Sequence, residues 1–170
     1  MRESAQKGES RPSSHEYRTL LEVAEAIASN RELSALLKNL AGPLRRVARF
    51  DHLWLNLRDG ASDTLHLHVI EPTDPGAPSA PLPVQDLAMW VWQNQRPVVT
   101  SITSHAEQWP DYYQWAQRLN MNSLCVLPLT TVGHRLGAIG FGCKQTGVYD
   151  GREVDFLHVV ANQVAVAVDN

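Results

Sequence analysis

His66 and His68 stand two positions apart, and histidine is a common metal ligand. On an extended strand that spacing puts both imidazoles on one face, which is how a metal-binding pair can be built. His52, beside Trp54 on the preceding strand, could supply a third ligand, but no cysteine or aspartate cluster completes a site. Without one, the pair reads as the polar, half-exposed face of a sheet. The chain has 2 cysteines, Cys125 and Cys143, both in predicted strands. They are too few for a disulfide scaffold and fit a reducing cytosol. Haem would require a pocket histidine, and His105 is the candidate by position; a loop histidine otherwise sits in solvent. No GxSxG, HExxH or Walker-type GxxxxGK[ST] motif occurs, and no glycine-rich loop joins a strand to a helix. No catalytic residue is assigned, and the chain is expected not to be an enzyme.

Bulk properties narrow the partners. The formal net charge is −3 at pH 7, so no general attraction to nucleic acid or membrane is expected. Arg45, Arg46 and Arg49 form the solvated face of one helix. No apolar run reaches the roughly 18 residues that span a bilayer, and the N-terminus lacks the apolar core of a signal peptide. A cytoplasmic protein is the default. With 170 residues, the chain is long enough for one domain with a real core.

The elements that must position these residues follow from periodicity. Residues 1–14 are polar, hold no apolar period and are expected to be a disordered leader. Tyr17, Leu20, Leu21, Ala24, Ile27 and Ala28 make one helical stripe; Leu33, Leu36, Leu37, Leu40, Leu44 and Val47 make a second. Pro43 predicts a kink or break near Asn39. Leu53, Leu55 and Leu57, then Leu65, Leu67 and Val69, alternate with polar or aromatic residues around an Asp59-Gly60 turn. They predict a hairpin with one aliphatic face and a second face carrying Trp54, His66 and His68. A proline-rich loop over 71–83 follows, then a short helix ending by Gln95 and a strand over 96–100. Trp109, Tyr112, Tyr113 and Trp115 crowd a segment that reads as a lid packed on the sheet, with the aromatics able to line a pocket as well. Two more strands meet at a Val132-Gly133 turn, and their glycines predict close approach of another group. A terminal amphipathic helix carries Val154, Leu157, Val160, Ala161 and Val164; with no stop signal beyond the chain end, it is expected to continue in the natural protein. The fold class is α+β. One central antiparallel sheet of about five to six strands is expected, with terminal helices on one face and loops and short helices over the other.

This order, with DHLWLNLRD, LAMWVWQNQRPVVT, SLCVLPL, GHRLGAIGF and FLHVVANQVAVAVDN, resembles the GAF domain family of small-molecule sensors over residues 15–170. Within that family the last three stretches look most like the sensory domains of formate-hydrogenlyase-type activators that use sigma-54 polymerase. The resemblance implies a regulatory input domain, with an AAA+ ATPase downstream in the full-length protein. It implies an effector held between sheet and lid, and a homodimer through the terminal helices. A small anion such as formate would need donors, for which Arg135, His68, Thr100, Ser101 and Ser123 are candidates. The lid residues Trp90, Trp109 and Tyr112, together with Cys125, complete the candidate set; no cofactor is assigned. Two alternatives stay open: a ligand-free dimerisation and relay module, whose sheet face would be filled by Trp and Tyr, and a redox or metal sensor. Relatives that reduce methionine sulfoxide use cysteines, but hairpin register keeps Cys125 and Cys143 from facing each other. Bilin-binding relatives use a Cys-His context, which neither cysteine has.

Overall fold

Alternation along the central strands divides the side chains between two layers, and the helices cover both. The computed structural model describes residues 13–29, 33–60, 63–71 and 86–170. The expected leader falls outside these apart from its last two residues, as does the proline-rich loop apart from Glu71. In chain order the elements are α1 (Ser14–Ser29), α2 (Leu33–Leu44), β1 (His52–Arg58), β2 (Leu65–Glu71), α3 (Asp86–Asn94), β3 (Val98–Ser101), α4 (Pro110–Arg118), β4 (Ser123–Thr130), β5 (Arg135–Cys143) and α5 (Gly151–Asp169). A short 3-10 turn over Ile102–His105 links β3 to α4.

The helix starts have identifiable caps. Ser13 and Glu16 form a capping box: the Glu16 amide donates to Ser13 Oγ at 3.2 Å, and the Ser13 amide to Glu16 Oε2 at 3.0 Å. Asp150 caps α5 by accepting from the Glu153 amide at 2.9 Å. Pro110 begins α4, where a missing N–H costs nothing. The break expected near Asn39 is absent. α2 runs on to Leu44, with Pro43 in its last turn, and the chain leaves through turn bonds at Arg46 and Val47.

The five strands pair antiparallel in the order β2-β1-β5-β4-β3. β5 inserts between β4 and β1, so the last strand holds the two hairpin regions together. Leu53, Leu55, Leu57, Cys125, Leu127, Ile139 and Phe141 face one layer with α1, α2 and α5. Trp54, Leu65, Leu124, Val126 and Ala138 face the other with α3 and α4. Because both faces are covered, β4 is buried from Ser123 to Leu129 and reads as a nearly unbroken apolar run.

One expected face is corrected. Trp54, His66 and His68 do not share a side of the sheet. Register pairs Arg58 with Leu65 and Leu57 with His66, so Leu65 and Leu67 join Trp54 on the α3/α4 side. The pairing then slips between Leu55 and Asn56, leaving His68 as the extra residue of a bulge. Turn geometry and a bulge thus override simple alternation.

Candidate functional site

Trp54 and Asn56 alternate with leucines on β1 and so point away from α5, under the lid formed by α3 and α4. Trp54 is 1% exposed and meets Trp115 edge-on at 4.8 Å and Tyr112 at 6.0 Å between ring centroids. A glycine at 140 makes this possible, because a Cβ there would overlap the indole. Gly137, at φ +154°, likewise meets the Asn56 carbonyl so closely that a side chain would collide with it.

Polar atoms under this lid lack partners. Trp54 Nε1, both amide atoms of Asn56, the Tyr112 hydroxyl and Asp86 Oδ2 are buried without a hydrogen bond. An unsatisfied buried group costs about 1–3 kcal/mol, so several on one side of a sheet call for an explanation. Asp86 Oδ1 accepts from the Leu87 amide at 2.7 Å. Burial nevertheless raises the Asp86 carboxyl above its ordinary range, against the opposing pull of amides at Leu87 and in the first turn of α4. Burial also drives the Tyr112 hydroxyl well upward, so it stays protonated as a donor. At the far end of β1, burial lowers His52 and favours neutral imidazole.

The space left is small. A cavity of about 10 Å³ lies among Leu87, Thr100, His105, Trp109, Tyr112 and Leu124, room for a single water at most. Thr100, Trp109 and Tyr112 of the expected set meet there, and Trp90 adds an edge-on contact to Trp109 at 6.0 Å. His105 meets Trp109 at a tilt, with ring centroids 5.2 Å apart.

Other expected residues lie elsewhere. Ser123 and Cys125 alternate onto the α5 face; Ser123 Oγ donates to the Gln145 carbonyl at 2.7 Å. Ser101 sits level with Ser123 at the strand end, its hydroxyl 2.6 Å from that of Ser104. Arg135 begins β5 at the opposite end of the sheet, donating to the Gln93 carbonyl at 3.3 Å. The His68 side chain lies outside the described ones. Trp54, Asn56 and Asp86 were missed. The available signal was Asn56, a polar residue at the same parity as Trp54 in an otherwise apolar strand.

Sulfur and metal chemistry find little support in the geometry. Cys125 pairs with Phe141 and Cys143 with Ser123, so the thiols are offset along the hairpin. Both are free and buried; burial pushes Cys125 up to about 12 and raises Cys143 as well, which keeps the nucleophilic thiolate scarce. Among the described residues no three His, Cys, Asp or Glu side chains gather to hold a metal ion. Among the described residues no helix is long and apolar enough to cross a membrane.

A model of the GAF domain matches residues 30–169. The chain belongs to the GAF domain family. GAF domains are known as sensory and regulatory modules. Solved structures share the GAF fold at low identity. The GAF domain of a two-component sensor histidine kinase from Bacillus halodurans is 21% identical, with TM-score 0.69, over 83% of this chain and 96% of that one. The GAF domain of an Acinetobacter phosphoenolpyruvate-protein phosphotransferase is 18% identical, with TM-score 0.73, over 93% and 95%. A free methionine-R-sulfoxide reductase from Neisseria meningitidis, solved with its substrate, is 19% identical, with TM-score 0.71, over 94% and 93%. No curated protein sequence matches the chain.

Proposed function

We propose that this GAF domain is the cytoplasmic input domain of a sigma-54-dependent bacterial activator, binding a small effector between sheet and lid. The observation that carries the reading is the set of unpartnered polar atoms under α3 and α4. Trp54 Nε1, Asn56 Nδ2 and the Tyr112 hydroxyl are neutral donors on the lid side of the sheet, of which Tyr112 lines the cavity; donors of this kind suit a small anion such as formate in a water-poor site. The cavity holds only about 10 Å³, so binding anything larger than a water requires the lid to move. The sigma-54 assignment, and the AAA+ ATPase it places downstream, rest on the likeness of SLCVLPL, GHRLGAIGF and VANQVAVAVDN to such activators. α5 packs on β4 and β5 and against α1, so a change under the sheet can reach both terminal helices. Tyr17 and Leu21 on α1, with Val159 and Val166 on α5, remain exposed and suit a homodimer through those helices.

The direct test is thermal unfolding with a panel of small carboxylates and other metabolites. An effector at about 100 times its Kd adds about 2.7 kcal/mol of stability. Absence of any shift across the panel, formate included, sinks the effector reading.

A second reading has its own support. The indole of Trp54 already fills the sheet face over Gly140, as a ligand-free relay module requires. That reading expects dimers through α1 and α5 with no metabolite response.

A further inference from the structure

A second open space among the described residues lies away from the lid. A groove of about 680 Å³ lies at the turn end of the sheet, within the size range of small-ligand pockets. Leu57, Trp92, Leu136 and Val168 give it apolar walls, and Arg58, His134 and Arg135 stand around it. We propose that this groove is a second effector site, for a small amphipathic anion: a carboxylate or phosphate monoester carrying an aromatic or short aliphatic group.

Three observations define the ligand class. First, one indole holds the Arg58 guanidinium and the backbone of Arg135 at the groove. Arg58 stacks over the Trp92 ring at 5.7 Å, and Trp92 Nε1 donates to the Arg135 carbonyl at 3.0 Å. Second, Arg135 makes no ion pair among the described residues; its guanidinium donates to the Gln93 carbonyl at 3.3 Å and keeps most of its donors uncommitted. The one carboxylate in the groove wall, Asp63, is already engaged by Arg58 Nη2 at 2.7 Å. Arg58 is balanced by Asp63 and His134 faces Asp169, so Arg135 is the groove-wall cation without a counter-ion among the described residues, and its planar guanidinium suits a two-oxygen head group. Third, the apolar surface lies beside that charge, which favours an anion with a hydrophobic body over a bare inorganic one.

The site also touches the exit helix. Val168 forms part of the wall, and His134 Nδ1 lies 2.9 Å from Asp169 Oδ1. Thr131 Oγ1 donates to Asp169 Oδ2 at 2.7 Å, so the β4–β5 turn grips the end of α5 through one carboxylate. A bound anion competes with Asp169 for His134 and loosens that grip. Its differential affinity for the gripped and released forms is what couples the groove to α5.

Calorimetric titration of the 170-residue chain tests this, with phenyl phosphate, benzoate and uncharged benzyl alcohol as probes. We expect one of the two anions to saturate a single site with Kd of about 1 mM or below, and benzyl alcohol not to bind. Arg135→Gln should weaken binding about tenfold or more, as should Arg58→Gln, because each removes a charge-assisted bond. Both residues are exposed, and unchanged melting temperatures confirm folding. Tyr112→Phe, under the lid, should leave this affinity unchanged, which separates the groove from the lid pocket. Amide exchange at 166–169 should quicken when the anion is bound. Lack of saturation by either anion up to about 10 mM overturns the site. So does full affinity in folded Arg135→Gln, or loss of it in Tyr112→Phe. Saturable binding with unaltered exchange at α5 overturns the coupling.

Discussion

The indole of Trp54 occupies the space that a side chain at Gly140 would need. The two residues are paired across β1 and β5, and the missing Cβ lets the largest side chain of the sheet fold flush beneath the lid. Gly140→Ala should therefore destabilise the domain by about 1–3 kcal/mol through overpacking. Gly133→Ala in the open turn should stay within about 0.5 kcal/mol, since nothing lies near its Cβ. Urea unfolding midpoints of the two variants check the contrast; equal midpoints would show that Trp54 repacks freely.

Tyr112→Phe removes a buried hydroxyl that has no partner. The expected result is a gain of up to about 1 kcal/mol in stability, with weaker response to any lid effector. A loss of stability would show that the hydroxyl is bonded in solution, and denaturant titration distinguishes the two.

Asp86 introduces a pH dependence. Its folded-state carboxyl is raised above 3.8, chiefly by burial. Its contribution is fully present below the unfolded value and is lost as pH rises through the folded one. Asp86→Asn should flatten melting temperature against pH over that window. An unchanged profile in the variant would assign the dependence to another group.

The turn-to-helix grip carries the opposite sign. Asp169 is lowered below 3.8, first by the Thr131 hydroxyl and also by His134. Its contribution is present above the unfolded value and disappears as pH falls through the folded one. Protection factors in the last turn of α5, with the intrinsic pH dependence of exchange divided out, should fall on acidification through that range in wild type. Asp169→Asn should already show lower protection near neutral pH and a smaller fall on acidification.

The proposed homodimer would use exposed apolar residues of α1 and α5. Leu21→Glu combined with Val166→Glu should shift sedimentation from dimer to monomer without lowering the melting temperature of the monomer, since both side chains are exposed in one chain. Wild type that sediments as a monomer at every concentration rules the interface out.

Alternation and helical spacing were enough to place the elements. Leucines every second residue in β1 and the apolar stripes of α1, α2 and α5 are local properties of the chain, and periodicity records them directly. The aromatic segment at 109–115 likewise announced a lid, and Trp90, Thr100, Trp109 and Tyr112 do gather there. The face of β2 was not legible, because turn register and the bulge at His68 decide it. The position of Arg135 was not legible either. Being on the same hairpin as Cys125 says nothing of which end or face a residue reaches until pairing is known. Only the tertiary structure put Asp86 and Asn56 on the lid side of the sheet, left Asp86 Oδ2 and the Asn56 amide unpartnered, and opened a groove where the two hairpin turns meet α5. The physical reason is that secondary structure follows from neighbours along the chain, whereas burial, desolvation and charge pairing depend on residues far apart in sequence.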